Sequence, residues 1–412
     1  MQIISPTHIQ GTLTAPASKS MMQRAIAIAT LAKGTSILHG YTASNDSDAA
    51  LKIAQDLGAT VTMNGETITI IGGLQPRTQN LNCGEAGLGI RMFTPIASLW
   101  ISPITLHGEG SLKTRPIATV EQPLRDLGVT ISTNNGFVPV KVCGPIQGGT
   151  SHVDGSLSSQ ILTGLLIASP LAKNDTTFLV QDLKSKPYID MTLQIMQDFG
   201  VQATHKNYEK FSIAANQTYT AQEYTVEGDW SGASFLLVAG ALGGSITVEN
   251  VRSDSKQADM ALLQAIENAG AIVTIEKNSV TITKNELNAF SFDATECPDL
   301  FPPLVALAAH CNGITSINGV SRLKHKESDR ATVLQTEFAK LGTKIVNEDD
   351  TMYVYGGTLK GGRMHANNDH RIAMAGACAA ILAQQPIEIE NPECVAKSYP
   401  TFFEEFAKIT AQ

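Results

Sequence analysis

The chain has 412 residues, of which 43% are hydrophobic and 17% charged, and its net charge is −8. That length exceeds one ordinary core, so two domains are expected, and the composition excludes a disordered chain. The negative balance argues against nucleic acid as a main partner, so small anions would have to be met by locally concentrated cations.

The opening Met1-Gln2-Ile3-Ile4-Ser5-Pro6 has no basic n-region and no apolar h-region, so no signal peptide is expected. Residues 1–15 read as one leading strand that must pair elsewhere. Next comes Ala15-Pro16-Ala17-Ser18-Lys19-Ser20-Met21-Met22-Gln23-Arg24, a loop feeding the first turn of an apolar helix over 25–32. A helix start carries unpaired N–H groups and the positive end of the dipole, and so receives anions. Lys19, Ser20 and Arg24 add a mobile cation, a hydroxyl and a fork-shaped cation, with Ser20 and Arg24 on one face. The plain alternative is a Ser cap with two solvated cations.

Further apolar helices follow over 92–101, 161–172, 233–242, 301–311 and 372–383. They are apolar on nearly every face, so they are read as buried on all sides. The longest apolar run, 372–383, is too short to span a bilayer. Each buried helix precedes a short strand: 35–38, 104–107, 176–180, 245–249, 314–318 and 386–390. A second series is offset from the first. Amphipathic helices end at Leu57-Gly58, Leu127-Gly128, Phe199-Gly200, Ala269-Gly270 and Leu341-Gly342, a spacing of 70–72 residues. Glycine just past a helix is a common stop. Hairpin patterns follow, as in Thr60-Val61-Thr62, Asn64-Gly65, Thr67-Ile68-Thr69-Ile70. The unit is therefore buried helix, strand, amphipathic helix and hairpin, repeated six times. The sixth lacks a hairpin, and the N-terminal strand is expected to complete it. This gives a discontinuous domain, 1–15 plus 228–412, and an inserted domain, 16–227.

The helix openings hold the polar residues. Cys83-Gly84-Glu85-Ala86-Gly87-Leu88-Gly89-Ile90-Arg91 precedes the second, and Asp154-Gly155-Ser156-Leu157-Ser158-Ser159-Gln160 the third. Glu227-Gly228-Asp229-Trp230 opens the fourth, Glu296-Cys297-Pro298-Asp299 the fifth, and Asn367-Asn368-Asp369-His370-Arg371 the sixth. Taken singly, the glycine-rich stretch is a tight turn and Ser158-Ser159-Gln160 a helix cap. Arg115 stands before Pro116, in a loop read as leading into a Pro-started helix. Ser185 stands before Lys186-Pro187-Tyr188. Lys324-His325-Lys326-Glu327-Ser328-Asp329-Arg330 is read as the opening of an amphipathic helix, with Lys326 and Arg330 on one face and Glu327 beside them. Its plain alternative is a solvated charge run. A carboxylate held among cations suits proton transfer near a bound anion. Lys397 could supply another cation. Cys83, Cys143, Cys297, Cys311, Cys378 and Cys394 form no CxxC pair and have no His at ligand spacing. They read as buried reduced thiols of a cytoplasmic protein.

Five ordered motifs resemble the 5-enolpyruvylshikimate-3-phosphate synthase family over essentially the whole chain. They are Pro16-Ala17-Ser18-Lys19-Ser20 with Arg24, Asp154-Gly155-Ser156-Leu157-Ser158-Ser159-Gln160, Ser185-Lys186-Pro187-Tyr188, Lys326-Glu327-Ser328-Asp329-Arg330 and Asn368-Asp369-His370-Arg371. The resemblance implies an α/β fold, a two-domain inside-out α/β barrel. Each domain would hold three βαβαββ units, with buried parallel helices, outer sheets and the active site in the cleft between domains. It also implies transfer of the enolpyruvyl group of phosphoenolpyruvate to shikimate 3-phosphate on the route to chorismate and aromatic amino acids. No cofactor or metal is implied, and a monomer without membrane partners is expected. Lys19, Ser20, Arg24, Ser158, Ser159, Gln160, Ser185, Asp299 and Lys326 would hold shikimate 3-phosphate. Lys19, Gly87, Arg115, Gln160, Arg330, Arg371 and Lys397 would hold phosphoenolpyruvate. Asp299 resembles the base for the 5-hydroxyl, Glu327 the acid for the methylene carbon, and Lys19 is catalytic as well. Arg91 and Tyr188 lie beside these groups. Desolvation next to Pro298 and Phe301 is expected to raise the pKa of Asp299.

Residues 85–92 depart from the Asn-Ala-Gly-Thr-Ala-Met-Arg-Pro that is common in the family, and they place a carboxylate, Glu85, at the phosphoenolpyruvate end. Pairing of Glu85 with Arg91 or Arg115, or a weakening of substrate and inhibitor binding, are the two readings. Glyphosate sensitivity is open for the same reason. Two other functions compete with this one. An enolpyruvyl transferase acting on UDP-N-acetylglucosamine would open with Lys-Asn rather than Lys19-Ser20 and would use a loop Cys that residues 109–116 lack. A silent phosphosugar-binding protein would have no use for Asp299 and Glu327.

Overall fold

The computed structural model describes residues 1–410. Six core helices are buried: Lys19–Leu31, Gly87–Ala97, Gln160–Ala168, Trp230–Gly243, Phe301–Ala308 and His370–Ala380. Five of them begin before the first residue of the apolar pattern, because residues of the openings already take helical geometry, and the helix at Phe301 begins on it. Five of them also stop short of the apolar run. The third, for example, tightens into a 3-10 turn, Ser169–Leu171. Among the described residues, no helix is long and apolar enough to cross a membrane.

Each core helix feeds a strand in a small mixed sheet. One sheet runs Asn80–Asn82, Ile104–His107, Phe137–Cys143, Thr130–Asn134. Another runs Gly149–Asp154, Thr176–Gln181, Lys210–Ile213, Thr204–Lys206, and a third Ser291–Asp293, Ile314–Asn318, Thr351–Tyr355, Lys344–Glu348. In each, the first pair is parallel, joined by the core helix as crossover, and the rest are antiparallel hairpin pairs. Strand residues alternate between buried and exposed, so one face of each sheet covers the helices.

Two sheets take a leading strand from far along the chain. Glu223–Thr225 lies parallel to Thr35–His39, and Ile9–Thr14 lies parallel to Gly244–Glu249. Residues 1–15 are therefore not one strand. Gln2–Ile4 pairs antiparallel with Ile387–Glu390 and completes the last sheet, while Ile9–Thr14 joins a different one. Pro6, which cannot donate to a ladder, lies between them.

The chain divides into two compact units, Met1–Ser18 with Glu227–Gln412 and Lys19–Val226. Each holds three core helices and three sheets in the inside-out α/β arrangement. In the first unit the helices beginning at Trp230, Phe301 and His370 pack on one another, and in the second those beginning at Gly87 and Gln160 do so. All six cysteines are unpaired. Five are buried, whereas Cys143, on a strand flank, is half-exposed.

Candidate functional site

In the Lys19–Val226 unit the first core helix opens on Lys19, whose Nζ meets Asp46 Oδ2 at 2.9 Å. Asp46 lies in the first turn of Asn45–Asp56, which Ser44 caps through Ser47 N. One turn further, Arg24 is buried. Its Nε donates to Thr192 Oγ1 (2.9 Å), one terminal nitrogen to the Ser20 carbonyl (2.7 Å), and the other to Thr163 Oγ1 and the Tyr188 carbonyl (both 3.4 Å). Its guanidinium also lies 6.0 Å from the Tyr188 ring centroid. Burial among neutral oxygens pushes its pKa down to about 10, with Tyr188 pulling the other way. Gln23 is also buried, and neither of its amide atoms is hydrogen-bonded among the described residues. Ser185 adopts the left-handed region at φ 57° and starts the helix Lys186–Asp198. Ser158 Oγ accepts from Gln160 N (3.2 Å), which leaves Ser159 as the cap residue of the third core helix.

The second core helix begins at Gly87. A Cβ there would lie 2.5–2.7 Å from the guanidinium atoms of Arg115, so the Arg115 fork rests on the bare Cα. Arg115 follows the 3-10 turn Gly110–Thr114, not a Pro-started helix. Ile117 and a second 3-10 turn, Ala118–Val120, intervene before Glu121–Asp126. Arg91 donates to the Gly87 carbonyl (3.0 Å), the Pro116 carbonyl (2.7 Å) and Gln160 Oε1 (3.5 Å). The Glu85 carboxylate accepts from Ser111 N and Ser111 Oγ, both at 2.9 Å.

In the other unit Asp299 occupies a 3-10 turn ahead of Phe301–Ala308. Its Oδ1 accepts from Lys326 Nζ (3.1 Å) and Arg330 (2.7 Å), and its Oδ2 from Arg371 (2.9 Å). Arg330, fully buried, also binds Glu327 Oε2 at 2.6 Å and Asp369 at 2.8 Å. The expected rise in the Asp299 pKa is not seen. Burial does push it up, but Arg371, Lys326 and Arg330 together hold the carboxyl well below the usual range. The same carboxylates hold Arg330 high against the effect of burial, and burial lowers Lys326. Lys326 and Arg330 do not share a helix face. Asp329 accepts from Thr332 N and caps the helix, which therefore starts at Arg330, and Lys326 reaches Asp299 from the preceding turn. Lys397 Nζ donates to the Asn368 carbonyl at 2.7 Å. Arg371 Nε is buried with no hydrogen-bond partner among the described residues.

Residues 3–406 match the family model described as EPSP synthase (3-phosphoshikimate 1-carboxyvinyltransferase). The chain belongs to the EPSP synthase family. It is 34% identical to the 3-phosphoshikimate 1-carboxyvinyltransferase of Clostridium kluyveri, over 98% of this chain and 96% of that one. It is 35% identical to the enzyme of the same name from Clostridium perfringens, over 99% and 98%. A solved structure of EPSP synthase from Acinetobacter baumannii superposes with a TM-score of 0.86 at 25% identity, covering 99% of this chain and 98% of that one.

Measured against the EPSP synthase motifs, several groups escaped the sequence reading. Asp46 and Thr192 lie far in sequence from the residues they hold. Asp369, which the sequence marks only as part of a motif, caps the sixth core helix through Arg371 N (3.1 Å) while gripping Arg330. An Asp two residues before a helical Arg is the signal that could have found it. Asp259, in the 3-10 turn Ala258–Ala261, is buried and accepts from Ser231 Oγ at the start of the fourth core helix. Burial, with the Asp299 charge adding, pushes its pKa up to about 7 against the pull of Arg371. Its local sequence carries no pattern that marks it.

Proposed function

We infer that this chain transfers the enolpyruvyl group of phosphoenolpyruvate to the 5-hydroxyl of shikimate 3-phosphate and releases phosphate, a step of aromatic amino acid biosynthesis. The observation that carries the chemistry is the Asp299 cluster, in which two carboxylates of different role, Asp299 and Glu327, share the guanidinium of Arg330. Both substrates are polyanions, and their mutual repulsion has to be offset by cations in a water-poor setting, where charge interactions are large. Arg330, Arg371 and Lys397 would take phosphoenolpyruvate together with Lys19, Gly87, Arg115 and Gln160. The unpartnered Arg371 N–H supports an anionic ligand there. Ser20, Arg24, Ser158, Ser159, Gln160, Ser185, Lys326 and Lys19 would take shikimate 3-phosphate, and Arg24, a buried cation that donates to neutral oxygens among the described residues, suits its phosphate.

In this reading Glu327 gives a proton to the methylene carbon, C2 turns electrophilic, and the 5-hydroxyl oxygen adds there as Asp299 takes its proton. Phosphate then leaves C2 as Glu327 takes a proton back from the new methyl group, restoring a carbon–carbon double bond. A carboxylate clamped by three cations is a weak base. Turning Arg330, Arg371 and Lys326 toward substrate anions would release it, so binding would itself prepare Asp299. The enzyme would act as a cytoplasmic monomer without a cofactor or metal. Phosphate release from phosphoenolpyruvate tests the assignment. It should require shikimate 3-phosphate and should not occur with UDP-N-acetylglucosamine. Release with UDP-N-acetylglucosamine alone, or with neither acceptor, would overturn it. Sedimentation of the purified chain at the mass of a dimer would overturn the monomer.

A further inference from the structure

The loop that carries Arg115 is fastened to the segment before the second core helix at several points. Glu109 N donates to the Gly84 carbonyl at 2.7 Å, and Asn82 Nδ2 to Glu109 Oε1 at 2.7 Å. The turn Gly110–Thr114 then begins with a glycine at φ +46°, whose Cβ would lie 2.3 Å from the Glu85 carboxyl carbon. Only glycine lets the carboxylate lie over that turn. Glu85 Oε2 holds both Ser111 N and Ser111 Oγ, and two residues further on the bare Cα of Gly87 receives the Arg115 guanidinium. Residues 85 and 87 thus grip the loop at its start and its end.

We propose that Glu85 is a positioning residue. Through Ser111 it sets the guanidinium of Arg115 against Gly87, and so sets the affinity for phosphoenolpyruvate without touching either substrate. This rests on the reading that Arg115 binds phosphoenolpyruvate. A carboxylate accepting a backbone N–H and a hydroxyl together is a strong local tether, because charge-assisted hydrogen bonds exceed neutral ones. The latch also accounts for a carboxylate standing near an anion site, since one of its oxygens is committed to Ser111.

The test compares Glu85→Ala and Glu85→Gln with the parent enzyme, alone and in an Arg115→Lys background. Glu85→Ala should raise the KM for phosphoenolpyruvate about tenfold or more, while kcat and the KM for shikimate 3-phosphate stay within about twofold. Glu85→Gln, which keeps an acceptor oxygen for Ser111, should recover the KM to within about threefold. With Arg115→Lys already present, Glu85→Ala should add less than about twofold, since the residue acts through Arg115. An unchanged KM in Glu85→Ala overturns the proposal, as does a rise equal for both substrates, a Glu85→Gln variant as poor as the alanine, or a full effect in the Arg115→Lys background. Amide exchange at Ser111 tests the latch apart from the reaction. It should quicken about tenfold or more in Glu85→Ala, and an unchanged rate overturns the latch even if the parent proves to have another activity.

Discussion

Arg330 has no exposed side-chain surface, yet it touches three carboxylates, those of Asp299, Glu327 and Asp369. A buried cation of this kind holds its site by charge matching, so removing a partner leaves an unpaired ion. The two carboxylates given chemical roles should separate binding from turnover. Asp299→Ala and Glu327→Ala are expected to keep shikimate 3-phosphate binding by calorimetry and to lose turnover by about 100- to 10,000-fold. Near-normal kcat in both would remove their roles. Asp259 makes a separate, pH-dependent prediction. Its native pKa is raised to about 7, so between about pH 4 and that value the native state holds a proton that the unfolded chain has released. Stability from this group therefore falls as pH rises through the window. Asp299, held low, contributes in the opposite sense. Its contribution is present above about pH 4 and is lost as pH falls through the native value. Asp259→Asn should accordingly raise the melting temperature at pH 8 relative to the parent, with the gain shrinking toward pH 4. A loss at pH 8 would contradict the assignment.

The helix stops are the clearest element-scale devices. Gly58 has φ +118°, and a Cβ there would lie 2.6 Å from the Gln75 carbonyl oxygen, whereas Gly65 at φ +59° has open space around it. Gly58→Ala should destabilise by roughly 1–3 kcal/mol, through left-handed strain plus a backbone clash. Gly65→Ala carries only the strain and should fall at the low end of that range, as chemical denaturation would show. The Gly periodicity and the apolar runs made the six core helices and their following strands legible, because burial on all faces writes itself into local composition. Helix starts were less legible. Residues 19–24 precede the apolar run, yet they belong to the helix, where Lys19 meets Asp46 and Arg24 meets Thr163 and Thr192. Many of the motif residues sit at or just before these starts. What stayed hidden was pairing over long sequence distance: Lys19 with Asp46, Glu85 with Ser111, and Asp259 with Ser231.

The chain divides into two units, each of which closes one sheet with a strand of its own that lies far along the sequence. Glu223–Thr225 closes the sheet of Thr35–His39, while Ile9–Thr14 closes that of Gly244–Glu249. Because the Lys19–Val226 unit contains its own closing strand, a fragment of residues 19–226 should fold alone, with a cooperative melt and dispersed amide resonances. Ending the fragment at residue 222 should abolish cooperativity by leaving that sheet without its strand. The central claim concerns a proton moved onto carbon, and turnover in D2O reads it most directly. If Glu327 protonates the methylene carbon and a methyl proton is later lost, deuterium must appear in the enolpyruvyl methylene of the product. Glu327→Gln should slow that incorporation in step with kcat. Product formed at the normal rate with no deuterium in its methylene would contradict the account.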